Sequence, residues 1–237
     1  MKDTLGDRMK AFYEDRTRYA LPRRTHTIIR IDGKAFHTYT RGLARPFDEQ
    51  FMQDMDATAC FLCANMQGVR FAYVQSDEIS VLLTDFEKPT TSAWFDGNVQ
   101  KMVSISASLA TAKFNELRPG KLAFFDSRVF SIPFVSEVEN YFIWRQQDAT
   151  RNSISNVAAS LYTHKELNGK NNEQKQEMIF QKGLNWNNFP ARCKRGRMVI
   201  KEPFEQRGAT RSRWTVTDVP VFTQDRAFLA KLIETLS

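Results

Sequence analysis

Hydrophobic and polar positions divide the first two thirds of the chain into short strands and long helices. Residues 25–32 (THTIIRID) are rich in β-branched side chains, follow Pro22 and predict a strand. Over 48–66, Phe51, Met55, Ala59, Leu62 and Met66 recur at helical spacing and predict a helix. Residues 71–84 predict two strands joined at Ser76-Asp77-Glu78. A second helix over 98–117 carries Val99, Met102, Val103, Ser106, Ala107, Ala110, Phe114 and Leu117 on one stripe and stops at Pro119-Gly120. A fourth strand follows over 123–132. Ser136 and Glu139 then predict a capping box that opens a third helix, from 137 to about 162. The order β-α-β-β-α-β makes this an α+β protein on the ferredoxin-like plan. The expected organisation is a catalytic region over 1–135 and a helical, basic extension with further helices and strands over 136–237. The two are expected to pack as one structural unit. The Gly/Asn-rich stretch 166–174 predicts a mobile loop.

Composition narrows the class. The chain has 237 residues, 42% of them hydrophobic and 12% aromatic, enough for a sizeable core. No apolar run approaches a membrane span. The charged N-terminal stretch lacks the apolar centre of a secretory signal. Three cysteines, few and odd in number, fit a reduced, cytoplasmic protein.

Net charge is +7 and unevenly placed. Residues 192–213 hold Arg192, Lys194, Arg195, Arg197, Lys201, Arg207, Arg211 and Arg213 against Glu202 and Glu205 only. Residues 1–30 hold eight basic side chains against four acidic ones. A clustered positive field favours a polyanionic partner such as nucleic acid, although a plain solvated basic surface reads the same way.

Candidate chemistry concentrates where the first strand ends. "RIDGKAFHTYTRG" (30–42) terminates a hydrophobic strand on a carboxylate, Asp32, followed by Gly33 and Lys34. In a ferredoxin-like sheet this strand neighbours the hairpin whose turn carries Asp77 and Glu78. Asp32 and Asp77 then meet at one sheet edge. Two converging carboxylates repel unless a divalent cation lies between them. Mg²⁺ takes a few carboxylate oxygens together with water and phosphate, and two such ions clamp an in-line phosphoryl displacement. Gly33 lets the backbone approach ions or phosphates, with Lys34, His37 and nearby amides as phosphate ligands. The plain alternative is that Asp-Gly and Ser-Asp-Glu are ordinary turn sequences.

"RIDGKAFHTYTRG", "YVQSDEISVLL", "FDSRV" and "WRQQD", in that order, resemble the tRNA-histidine guanylyltransferase family. The likeness extends through "NWNN" (185–188) and "CKRGR" (193–197). It implies a ferredoxin-like polymerase palm with two Mg²⁺ ions that adds nucleotides to the 5′ end of tRNA in the 3′-to-5′ direction. GTP, ATP and other nucleoside triphosphates would be substrates. By position, Asp32, the Gly33 carbonyl and Asp77 would be the metal ligands, and Asp32 and Asp77 the catalytic residues. Asp32, Gly33, Lys34, Ala35, Phe36, His37, Ser76 and Asp77 would line the nucleotide. Arg45 falls where the family places a basic residue. Glu78 is a weaker candidate ligand. Arg192, Lys194, Arg195, Arg197, Arg211 and Arg213 are the candidate RNA contacts. Relatives assemble as dimers of dimers, so a homotetramer is expected by resemblance.

Two departures refine this. Where eukaryotic members carry a His-Ile-Asn-Asn-Leu-Tyr-Asn segment, this chain has "TRNSISN" (150–156): Asn152 and Asn156 persist, and Thr150 replaces the histidine. The chain is thus more similar to the bacterial and archaeal guanylyltransferase-like branch. That branch repairs 5′-truncated tRNA by template-dependent addition. The other expected outcome is addition of a single G at position −1 of tRNA-His. Asp96-Gly97-Asn98 stands where relatives carry basic residues after an aromatic pair. Other function classes are a palm-type nucleotidyl cyclase, against which the basic segment argues, and a non-catalytic RNA-binding protein. Both Asp32 and Asp77 argue against the latter. Cys60 and Cys63 have metal-like spacing but sit on an apolar helical stripe and read as core. Trp94-Phe95 and Trp186 are candidates for base stacking, with core packing at least as good an explanation.

Overall fold

The computed structural model describes residues 4–206 and 208–234. Helix α1 (Leu5–Phe12) precedes strand β1 (His26–Gly33), a single helical turn α2 (Phe36–Tyr39) and helix α3 (Glu49–Asn65). Strands β2 (Val69–Gln75) and β3 (Glu78–Leu83) form a hairpin. Helix α4 (Val99–Leu117), strand β4 (Phe125–Ile132) and the long helix α5 (Val135–Leu161) follow. Beyond them come α6 (His164–Leu167), α7 (Asn172–Gln181), α8 (Ala191–Arg195), β5 (Arg197–Gln206), β6 (Ala209–Asp218) and α9 (Arg226–Glu234).

All strand pairings are antiparallel, in the order β4-β1-β3-β2-β5-β6. The first four strands have the ferredoxin-like order, and β5 and β6 extend the same sheet past β2. Strand alternation gives the sheet two apolar faces. Ile29, Ile31, Val74 and Val81 pack with the helices α3 and α4, and Ile28, Phe71, Tyr73 and Leu82 pack with α5 and α9. Cys63 is buried in the first of these clusters and Cys60 packs against it, as core residues. Burial pushes the Cys60 thiol up to about 11. Trp94 is also core, and the exposed Asp96 beside it pairs with Arg23 at 3.3 Å.

Asp48 caps α3 by accepting from the Phe51 amide at 2.7 Å, and Asn98 caps α4 through the Lys101 amide at 3.0 Å. Two expectations are corrected. The Ser136/Glu139 capping box does not form: α5 starts at Val135, directly after the extended Phe134, so Ser136 already lies inside the helix. The stretch 166–174 is a loop only over 168–171, which joins α6 to α7. Capping boxes at Thr163/Glu166 and Asn171/Gln174 start α6 and α7 there, using the same polar residues that read as loop-forming.

Only Arg197–Val199 of β5 pair with β2, while β5 and β6 pair along their whole length. The outer part of this hairpin is therefore a two-stranded ribbon, exposed over Lys201–Pro203 and Ala209–Arg213. Gly196 lets the ribbon join the sheet. Its φ is +78°, and a Cβ there would lie 2.7 Å from the Val74 carbonyl oxygen.

Candidate active site

Asp32 and Asp77 reach one end of the sheet from different strands. In the register, Asp32 stands opposite Glu78 on β3 and opposite Asp126 on β4. Asp77 lies in the tight β2–β3 turn, immediately before Glu78. Ser76 in that turn has φ +46°, a left-handed conformation that costs a non-glycine residue free energy and marks a constrained backbone. Strand parity puts Arg30 and Asp32 on the sheet face that carries Ile28, the face covered by α5.

Asp77 is pushed up to about 6, first by burial and then by the charge of Asp32, against a lowering hydrogen bond from Ser76. Asp32 is raised by burial and further by Asp126, while Arg30 opposes. Two carboxylates that disfavour each other's charge offer hard oxygens to a divalent cation, and Mg²⁺ suits that donor set. Among the described residues no group of three or more His, Cys, Asp or Glu side chains is gathered around one point. An ion held here would take Asp32, Asp77, the Gly33 carbonyl and oxygens of its substrate. Gly33 is required by packing: a Cβ on it would lie 2.3 Å from the Phe36 ring.

Glu78 is spoken for. Its carboxylate meets Arg145 at 3.0 Å and Arg30 at 3.7 Å and accepts from Ser80 at 3.3 Å. Arg145 also pairs with Asp148 at very short range, and Arg151 pairs with Asp148 at 2.8 Å. This chain of charges ties α5 to the acidic end of the sheet.

Beside Asp77 opens a cavity of about 470 Å³. His37, Arg45, Ser76 and Asp77 line one side, together with Phe36, whose ring is buried against Phe51, Phe114 and Phe125. Ala149, Asn152, Ser153, Asn156 and Ala159 of α5 line the other. Small residues at spacings of three and four place one thin stripe of α5 against the cavity, a periodicity legible in the sequence. Thr150 lies off this stripe and does not line the cavity. Lys34 and Ala35 are exposed next to it, and Ala35 has φ +55°. Thr38 is the first amide of the α2 turn to bond back, to the Ala35 carbonyl at 2.9 Å. Amides at the start of a helical turn lack an intrahelical partner and can receive phosphate oxygens.

The basic segment divides. Arg197 is 2% exposed and donates to Asp56 at 2.5 Å, and Arg192 donates to the same carboxylate at 2.8 Å. Lys194 is buried, donates to the Asn187 carbonyl at 2.6 Å and is pulled down by burial. The expectation that Lys194 and Arg197 face RNA is therefore corrected: Lys194 turns inward to a carbonyl, and Arg197 is paired with Asp56 in the wall of the cavity. Arg195 is half-buried, and its carbonyl accepts from the Tyr73 hydroxyl at 2.6 Å. Arg211 and Arg213 are exposed on the ribbon, where Arg213 lies 5.4 Å from the centre of the Phe204 ring. Trp186 donates to Ser153 at 3.0 Å from below the cavity stripe.

Comparisons with known proteins show which family and fold the chain shares. The family model for tRNAHis guanylyltransferase (Thg1) matches residues 6–133. A solved bacterial tRNA(His) guanylyltransferase (Thg1)-like protein in complex with ATP is 44% identical. It superposes with a TM-score of 0.89 over 98% of this chain and 100% of that one. The structure of such a protein in complex with GTP is 45% identical, with a TM-score of 0.86 and the same coverage. The tRNA(His) guanylyltransferase of Debaryomyces hansenii is 28% identical over 211 residues, covering 79% of this chain and 77% of that enzyme.

Proposed function

The chain belongs to the tRNAHis guanylyltransferase family and is a nucleotidyltransferase, and on that premise we propose that it repairs the 5′ end of tRNA by template-dependent 3′-to-5′ nucleotide addition. The observation that carries this reading is the likeness to the bacterial Thg1-like proteins, 44% and 45% identical, against 28% to the fungal guanylyltransferase. A nucleotide-sized cavity lined by Asp77, which feels the charge of Asp32, supports it.

In the proposed reaction the 3′-hydroxyl of an incoming nucleotide attacks the α-phosphorus at the RNA 5′ end. A new phosphodiester bond forms there. The bond to the leaving group breaks, releasing pyrophosphate from a 5′-triphosphate or AMP from an adenylylated end. Two Mg²⁺ ions held at Asp32, Asp77 and the Gly33 carbonyl would lower the hydroxyl's pKa and neutralise the leaving charge. Lys34, His37, Arg45 and the amides opening α2 hold triphosphate oxygens. Ser76 keeps Asp77 in place, and Arg145 and Arg30 offset the negative charge of Glu78. Thr150 lies off the cavity wall, so base identity is assigned to Watson–Crick pairing with the opposite strand, which presents the hydroxyl to fixed carboxylates. A misplacement of about 1 Å costs on the order of 100-fold in rate. The free thiols Cys60, Cys63 and Cys193 suit a reducing, cytoplasmic setting, and no helix among the described residues is long and apolar enough to cross a membrane. Assembly as a dimer of dimers belongs to the same reading, by resemblance.

The names of the family and its fungal relatives favour a second reading, addition of one G to tRNA-His. A set of tRNAs that differ only in the base facing the missing 5′ nucleotide, each offered the four NTPs singly, separates the two. Repair predicts addition of the complementary nucleotide and extension by more than one residue. Addition of G regardless of the opposing base, stopping at one, assigns the second reading.

A further inference from the structure

We infer that Trp144 is a positioning residue, a stacking platform for the terminal base at the 5′ end of the RNA. The inference rests on the RNA reading proposed above. Trp144 is 46% exposed on α5, one residue before the buried Arg145. The Arg145 guanidinium lies 4.1 Å from the centre of the Trp144 ring and covers part of it. Tyr141 meets the ring edge-on at 5.9 Å. Tyr141 is itself fixed by Ser80 at 2.9 Å and by an edge contact to Phe130 of β4 at 5.6 Å. The indole is thus held from two sides while nearly half of it meets solvent. Such an arrangement is pre-organised to stack, with little side-chain entropy left to lose.

Its location gives the ligand. Arg145 holds Glu78, and Glu78 stands opposite Asp32 across the β1–β3 ladder. Two further links therefore join the exposed indole to the first of the two carboxylates. Around it the same sheet face is polar: Asp32, Asp126 and Arg128 follow one another across β1 and β4, with Asp126 and Arg128 exposed. A large exposed aromatic on a polar shelf beside a phosphoryl-transfer centre fits the flat face of a nucleobase. The cavity that suits the nucleoside triphosphate lies elsewhere on α5, from Ala149 onward, and Trp144 does not line it. The base that stacks on Trp144 is therefore assigned to the RNA. Stacking reads no sequence, since every base offers a π-face, which suits an enzyme that takes base identity from pairing. The other three tryptophans are committed: Trp94 to the core, Trp186 to Ser153, and Trp214 to packing on the core under Lys201.

The test compares wild type, Trp144→Leu and Trp144→Phe. Affinity for a 5′-truncated tRNA is measured by tryptophan fluorescence and filter binding, KM for the NTP by steady-state extension, and mass by light scattering. Trp144→Leu is expected to weaken tRNA affinity about 5- to 150-fold, with the NTP KM and the mass unchanged, and Trp144→Phe to restore most of the loss. The Trp144 share of the fluorescence, wild type minus Trp144→Leu, is expected to be quenched by tRNA and not by NTP alone. Trp144→Leu that binds tRNA like wild type overturns the inference. So does quenching of that share by NTP alone, which would put the incoming base on Trp144. A change of mass without a change in tRNA affinity overturns it in favour of a contact between copies. If Trp144→Leu does not fold, Trp144→His and Trp144→Phe carry the same comparison. A wild type that binds tRNA while Trp144→Leu matches it refutes the platform alone; a wild type that neither binds nor extends tRNA refutes the RNA reading itself.

Discussion

The acidic end of the sheet and the basic segment 192–213 are both dense in like charge, and the fold treats them in opposite ways. Asp32 and Asp77 sit together, and burial and then the charge of Asp32 push Asp77 up to about 6. Arg192 and Arg197 converge on Asp56, and Lys194 turns inward to a carbonyl. Tallied along the sequence, the basic run is the stronger electrostatic signal. In space, much of it is internal wiring, and the carboxylate pair is the part left with chemistry to do. Charge that the fold leaves unsatisfied is the informative kind.

The most direct way to break this comparison is to remove the acids. Asp32→Ala and Asp77→Ala are each expected to lower nucleotide addition by ~1000-fold or more, in keeping with loss of metal-centred charge stabilisation. Folding is expected to persist, because neither side chain carries core packing. Near-normal turnover by either folded variant removes the two-metal assignment. The contrast within the basic segment comes next. Arg197→Ala strips the buried Asp56 of a partner and is expected to cost roughly 3–5 kcal/mol of stability by denaturant titration. Reversing Arg211 and Arg213 to Glu is expected to leave stability unchanged and to flatten the salt dependence of tRNA affinity. Equal effects on stability from the two changes would erase the distinction between inward and outward charge.

The smallest effect sharpens the acid side. A carboxyl raised in the folded state keeps its proton where the unfolded chain has lost it. Stability then falls as pH rises from near 4 to near 6 and stays lower above that. In metal-free protein Asp77→Asn is therefore expected to be more stable than wild type at pH 7.5, by up to about 3 kcal/mol, and nearly equal to it at pH 4. Parallel pH–stability curves for the two proteins would show that Asp77 bears no such burden.

Much of the palm was legible because its signals are local. Met55, Ala59 and Leu62 mark α3 by spacing alone, and Pro119-Gly120 ends α4. The meeting of Asp32 with the Asp77 turn followed from strand order. What was not legible depends on distant partners. Nothing near Arg197 in the sequence announces Asp56, 141 residues away, so the basic segment read as surface. The cap of α5 was misassigned because Ser136 and Glu139 match a capping pattern by type, while the backbone enters the helix at Phe134. The stretch 166–174 read as loop because Asn, Gly and Glu serve turns and helix caps alike. The stripe of small residues lining the cavity was present as a periodicity in 149–159 and gained meaning only once the facing wall was in place.

The ribbon's attachment has a consequence for how the chain is made. Strand β2 is interior to the finished sheet, yet the strand that covers its outer edge lies far downstream: the Tyr73 hydroxyl finds its acceptor 122 residues later, at Arg195. At roughly 5–20 residues per second, a ribosome needs about 6 to 24 s to deliver that stretch. Through that interval the carboxylate-bearing hairpin can already be paired with β1, while Ala72, Tyr73 and Val74 present an open, apolar strand edge to every neighbour. The nascent protein is most exposed to wrong pairing after its chemistry is in place and before its last strands arrive, and that is the period in which a chaperone would serve it best.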